Sequence, residues 1–144
     1  MTEMSWLVAS IVGYLCGSIP FAYLLTRAST GEDLRQVGSG NVGATNALRR
    51  TGWGVGLTAL GLDAAKGAIA VWVGMWLGTR FGPLPSSAVE LFGPEVAHVP
   101  AALAGLAAML GHVFPVWLRF AGGKGVATAA GAFAVLAPVA TLGA

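Results

Sequence analysis

The chain has 144 residues, of which 56% are apolar and only 10% charged, with a mean hydropathy of +0.74 and a formal net charge of +2. A soluble domain meets water with roughly a quarter of its residues charged, so a water-soluble globular fold is excluded and a lipid bilayer is the expected surrounding. The one cysteine, Cys16, rules out an internal disulfide framework, and neither a nucleic acid nor an obligate protein partner is expected.

In chain order, four apolar stretches approach the roughly 20 helical residues needed to cross a hydrocarbon core. They run over about residues 4–25, 55–77, 99–118 and 126–144. The fold class is therefore all-α: a polytopic helical membrane protein, one integral membrane domain over 1–144. The first stretch is not a cleavable signal, because its leading segment carries Glu3 and no basic residue, while Arg27 follows the apolar run. The loop at about 26–54 holds Arg27, Arg35, Arg49 and Arg50, and the loop at about 119–125 holds Arg119 and Lys124. Arg80 alone accompanies Glu90 and Glu95 in the connection from Thr79 to Pro100, to which no chemistry is assigned. Basic residues favour the cytoplasmic side, so the first and third loops are expected there and the N-terminus outside.

The first basic loop contains Gly38-Ser39-Gly40-Asn41-Val42-Gly43, followed by a short helix expected from about Ala44 to near Gly52. On that helix Asn46, Arg49 and Arg50 share a face by their three- and four-residue spacing. The second loop, Gly122-Gly123-Lys124-Gly125, opens directly into the fourth stretch. Glycine runs let the main chain approach a ligand closely and turn successive N–H groups into an anion-binding nest. At a helix start, free amides and the helix dipole add to the attraction for phosphate. Each loop also supplies a cation: Arg49 or Arg50 in the first, Lys124 in the second. Ser39, Asn41, Thr45 and Asn46 make ligand binding a better account of the first loop than a flexible turn. Two phosphate cradles at one membrane surface suit a pair of phosphorylated substrates.

Nucleotide readings fail on context. Gly38-x-Gly40-x-x-Gly43 with Asp63 downstream matches a dinucleotide fingerprint, but no strand precedes it and Asp63 lies in an apolar span. The second loop lacks the upstream glycine of a P-loop, and Gly125 stands where a magnesium-holding Ser or Thr is required. Two histidines and one cysteine offer no metal-ligand spacing, so neither metal nor cofactor is expected. Asp63 and Lys66 lie three apart on the second span and are read as a structural ion pair, although ionisable groups at membrane depth are functional candidates by default. His112 is read as a helix–helix hydrogen-bonding residue, with a kink at Pro115. Cys16 is read as a buried thiol. Gly13, Gly17, Gly54, Gly56, Gly61, Gly105 and Gly131 are assigned to close helix packing.

Five segments then occur in order: Gly-Ser-Ile-Pro-Phe-Ala-Tyr at 17–23, Val-Gly-Ser-Gly-Asn-Val-Gly-Ala-Thr-Asn at 37–46, Leu-Asp-Ala-Ala-Lys-Gly at 62–67, Gly-His-Val-Phe-Pro-Val at 111–116 and Gly-Gly-Lys-Gly-Val-Ala-Thr at 122–128. Together they resemble the PlsY family of bacterial acyl-phosphate:glycerol-3-phosphate acyltransferases, along essentially the whole chain. The resemblance implies transfer of a fatty acyl group from acyl phosphate to glycerol-3-phosphate, giving lysophosphatidic acid and phosphate in phospholipid synthesis. It implies a multi-pass protein of the bacterial cytoplasmic (inner) membrane, with seven spans of which about four are present here, and a site facing the cytoplasm. Carried over by position, Ser39, Arg49 and Lys124 would be the catalytic and phosphate-holding residues. Gly38, Gly40, Asn41, Gly43, Thr45, Asn46, Gly122, Gly123 and Gly125 would shape the substrate cradles. The family has a further C-terminal motif with a histidine, an asparagine and a glutamate, which lies beyond Ala144. A truncated chain, inactive as it stands, is therefore the expectation. The alternative kept beside this reading is a small membrane transporter or channel for a phosphorylated metabolite.

Overall fold

The computed structural model describes residues 2–80 and 98–137, with side chains described from Trp6 onward. The connection from Thr79 to Pro100, apart from its two ends, and the end of the fourth stretch lie outside the described residues. Six α-helices are present among them: α1 Thr2–Gly17, α2 Phe21–Thr30, α3 Ala44–Thr51, α4 Trp53–Arg80, α5 Val99–Val113 and α6 Val126–Leu136. A 3-10 turn, Val116–Leu118, separates α5 from the second glycine loop. Three helical paths are long and apolar enough to cross a membrane: Trp6–Thr30, Trp53–Arg80 and Val99–Leu118, with α6 as a shorter apolar helix.

The first span is broken rather than continuous. Proline cannot donate a helical hydrogen bond and disfavours helix in the residue before it, so Ser18-Ile19-Pro20 ends α1 and restarts the chain as α2. Backbone groups released at membrane depth need partners. The Ser18 N–H and hydroxyl both donate to the Tyr14 carbonyl, at 2.9 and 2.8 Å. The ammonium of Lys66, from α4, donates to the Ile19 carbonyl at 2.8 Å. The ion pair expected on α4 is present, with Lys66 Nζ 2.8 Å from Asp63 Oδ1 and both side chains almost wholly buried. It also stitches the break in the first span.

Helices cross on small residues. Gly13 and Gly17 of α1 lie against the backbone of Ala104 and Ala108 of α5, and Gly111 lies against Tyr14 and Ser18. On α4, Gly67 meets Thr128 of α6, and Gly131 of α6 meets Ala64. This is how membrane helices associate when lipid is as apolar as leucine. The buried set is correspondingly rich in alanine (Ala9, Ala59, Ala70, Ala101, Ala104, Ala108), whereas Leu7, Ile11, Trp72, Leu106 and Phe133 face outward. Two of the packing glycines depart from expectation. A Cβ on Gly54 or Gly61 would meet nothing within 4 Å, so neither marks a crossing among the described residues. Cys16 is only half-buried, its thiol 3.6 Å from the Lys66 carbonyl.

Candidate functional site

The first basic loop has a core of its own. Leu34 and Val42 are buried with Ala22, Ala47, Ala59 and Leu118, which fixes the loop to α2, α3, α4 and the 3-10 turn. At its centre lies Asn46, 3% exposed. Its amide nitrogen donates to the carbonyls of Leu34, Val37 and Asn41 at 3.2, 3.0 and 3.0 Å, and its amide oxygen accepts the Ser39 N–H at 3.2 Å. Gly38 adopts φ +60 beside this oxygen, where a Cβ would overlap it. Asn41 closes the next turn, accepting the Gly43 N–H at 2.9 Å.

The cations of this loop fall into two classes. Arg35 is paired with Asp33 at 2.6 Å, and that guanidinium holds the Asp33 carboxyl down at about 2. Arg50 forms a two-point pair with Glu32, which lowers the carboxyl and raises the guanidinium. Arg49, one residue away and exposed, has no acidic partner among the described residues, and neither has Lys124. The residue reading left Arg49 and Arg50 open; the geometry separates them.

Arg49 and Lys124 border the same cleft, of about 620 Å³. Its polar rim is completed by Ser39, Asn41, Gly43, Thr45, Asn46 and Gly125. The starts of both α3 and α6 lie at this rim, at Ala44–Thr45 and at Val126–Ala127. Neither helix is capped by a side chain, so first-turn amides and two helix dipoles act on one volume. The rest of its lining combines the apolar side chains of Leu60 and Ala64 of α4 and Val126, Ala127 and Ala130 of α6 with the buried Asp63 and His112. On the far side of Ser39 and Arg49 lies a second basin of about 480 Å³, lined also by Val37, Gly38, Asn46 and Arg50. A cleft that is cationic on one side and apolar on another suits an amphiphile with an anionic head.

Several amides of the two glycine runs are bonded within the fold. The amides of Ser39, Gly40 and Gly43 are taken up within the loop, by Asn46, Val37 and Asn41. Those of Gly122 and Gly123 donate to the Val113 and His112 carbonyls, both at 3.1 Å. These glycines set the path of the chain, and Gly40, Gly122 and Gly123 border neither basin. Among the described residues, the donors left on the cleft include the Ser39 and Thr45 hydroxyls, the helix starts and the two cations. Sequence reasoning missed that Asp63 and His112 also line the cleft. The spacing of Leu60, Asp63 and Ala64 on one helical face was the available signal.

Residues 7–144 match the family model described as glycerol-3-phosphate acyltransferase. The chain is 48% identical over 136 residues to the glycerol-3-phosphate acyltransferase of Anaeromyxobacter sp. (strain Fw109-5), covering 94% of this chain and 61% of that protein. It is similar to a crystal structure of PlsY (YgiH), described as an integral membrane glycerol 3-phosphate acyltransferase in its glycerol 3-phosphate form. The TM-score is 0.75 at 40% identity, over 96% of this chain and 60% of that one. The lysophosphatidic acid form of the same protein matches with TM-score 0.69 at 37% identity, over the same shares of the two chains. The chain thus spans about three-fifths of the length of these relatives.

Proposed function

Since the chain belongs to the glycerol-3-phosphate acyltransferase family, by its match over residues 7–144, we propose that it carries the phosphate-binding part of an enzyme that acylates glycerol-3-phosphate from an acyl phosphate. The observation that carries this reading is the pair of cations without an acidic partner among the described residues, Arg49 and Lys124, on one cleft of about 620 Å³ that also has an apolar side. An acyl phosphate is already activated, so no covalent enzyme intermediate, metal or coenzyme A is called for. The glycerol 1-oxygen bonds to the acyl carbon while the bond from that carbon to the phosphate oxygen breaks. The hydroxyl proton passes to a phosphate oxygen. Arg49 and Lys124 offset the repulsion between two phosphates and stabilise the charge on the departing one. The acyl chain lies along Leu60, Ala64 and Ala130, entered from the bilayer. The excess of basic residues in the two loops supports a cytoplasmic site in a bacterial inner membrane with the N-terminus outside.

The polar groups within the spans support acyl transfer over transport. Asp63, Lys66, His112 and Thr128 are spent on one another and on the Ile19 carbonyl, which leaves no chain of free polar groups across the bilayer among the described residues. The test is an assay of the complete gene product in detergent with palmitoyl phosphate and radiolabelled glycerol-3-phosphate. Chloroform-extractable lysophosphatidic acid, formed without coenzyme A, is expected. Flux of glycerol-3-phosphate into liposomes with no acylated product would overturn the reading in favour of a transporter.

A further inference from the structure

The cluster beneath the cleft does more than neutralise buried charge. His112 of α5 is 9% exposed. Its Nδ1 lies 3.2 Å from the Thr128 hydroxyl on α6 and 3.5 Å from Asp63 Oδ1 on α4. Asp63 in turn faces Lys66, which is anchored to the Ile19 carbonyl in the break of the first span. One polar knot therefore joins the first span, α4, α5 and α6. A structural pair accounts for the Asp63–Lys66 contact but leaves the opposite edge of the imidazole unexplained.

That edge faces the second glycine loop. A Cβ placed on Gly123 would overlap His112 Nε2 and approach Cδ2 and Cε1 to 3.0 and 3.1 Å. The Gly123 N–H also donates to the His112 carbonyl at 3.1 Å. Residue 112 thus holds Gly123 by its backbone and by the side of its ring, and the next residue is Lys124. We propose that His112 is a positioning residue: its ring, oriented by Thr128 and Asp63, is the wedge that fixes the Gly122–Gly125 turn and so places the Lys124 ammonium in the cleft.

This inference rests on the phosphate-holding role given to Lys124, and its test separates the two. Asparagine reproduces the Nδ1 position of histidine and vacates the Nε2 position, whereas glutamine does the reverse. In the complete gene product, Gly123→Ala alone is expected to lower turnover about 100-fold, since small displacements of a positioning group carry penalties of that order. His112→Asn with Gly123→Ala should recover at least about tenfold of that loss, the methyl filling the vacated space, a coupling that independent sites do not show. His112→Gln with Gly123→Ala should recover nothing. Peptide-resolved labelling of Lys124 by an amine reagent gives a readout independent of catalysis. Its rate should depart about threefold from wild type in Gly123→Ala and return in the Asn double variant, following the same coupling. Thermal unfolding identifies any variant that fails to fold, for which labelling of the remaining variants decides. An Asn double variant no better than Gly123→Ala in both readouts, or a Gln double variant that recovers equally, would overturn the proposal. Failure of acyl transfer with the labelling pattern intact would overturn only the assigned reaction.

Discussion

Asn46 shows how much of the site depends on one amide. It supplies a partner to three loop carbonyls and to the Ser39 N–H from a buried position. Leaving buried polar groups unpaired costs about 1–3 kcal/mol apiece. Asn46→Ala is therefore expected to loosen the loop around Ser39, measured as faster hydrogen exchange at the Ser39 amide, and to lower turnover by about tenfold or more, as misplacement of site groups does. Unchanged exchange would show that the loop holds its shape without the amide. The sequence displayed Asn46 only as one more polar residue in a ligand-binding motif. Its partners lie five to twelve residues away, on turns whose geometry local pattern does not specify. The same limit separates Arg49 from Arg50, since the distinction is made by Glu32, eighteen residues upstream.

At the scale of elements, the legible parts were those governed by local signals. Helix α3 occupies Ala44–Thr51, ended by Gly52 at φ +88, as the glycine stop implied. The break at Ser18–Pro20 was present as a proline within an apolar run, but hydropathy does not change across it, so the first span read as continuous. The Lys66 contact that stabilises the break spans 47 positions and has no local trace. The first loop proved a folded element, and its polar edge has a measurable property. Asp33 is held to about 2, below its ordinary 3.8, by Arg35. A depressed carboxyl pKa contributes stability that is present above the ordinary value and is lost as pH falls through the folded one. The Asp33–Arg35 turn should thus persist at neutral pH and open on acidification between about pH 4 and 2. The carboxyl carbon shift of Asp33, followed by NMR in detergent, should titrate near the lower value. A midpoint at the ordinary value would show that the pair does not form.

At the scale of the whole molecule, small residues at the crossings bring α4 and α6 close enough for two helix starts to share one cleft. Gly67, Gly131 and the alanine-rich interior are thereby connected to function, because the separation of Arg49 from Lys124 is set by those crossings. Composition announced a membrane bundle and the motifs announced phosphate, but the convergence of the loops on a single cleft required the packing. On the proposed function, Arg49 and Lys124, and not the acid-paired Arg50 beside them, hold the reacting phosphates. The direct measurement is kcat/KM for acyl transfer in Arg49→Ala and Arg50→Ala of the complete gene product. Loss of a cation that stabilises developing charge should lower the Arg49 variant about 100-fold or more. Loss of the exposed Glu32 pair should leave the Arg50 variant within about fivefold of wild type. Equal losses, or a larger loss at Arg50, would contradict the assignment.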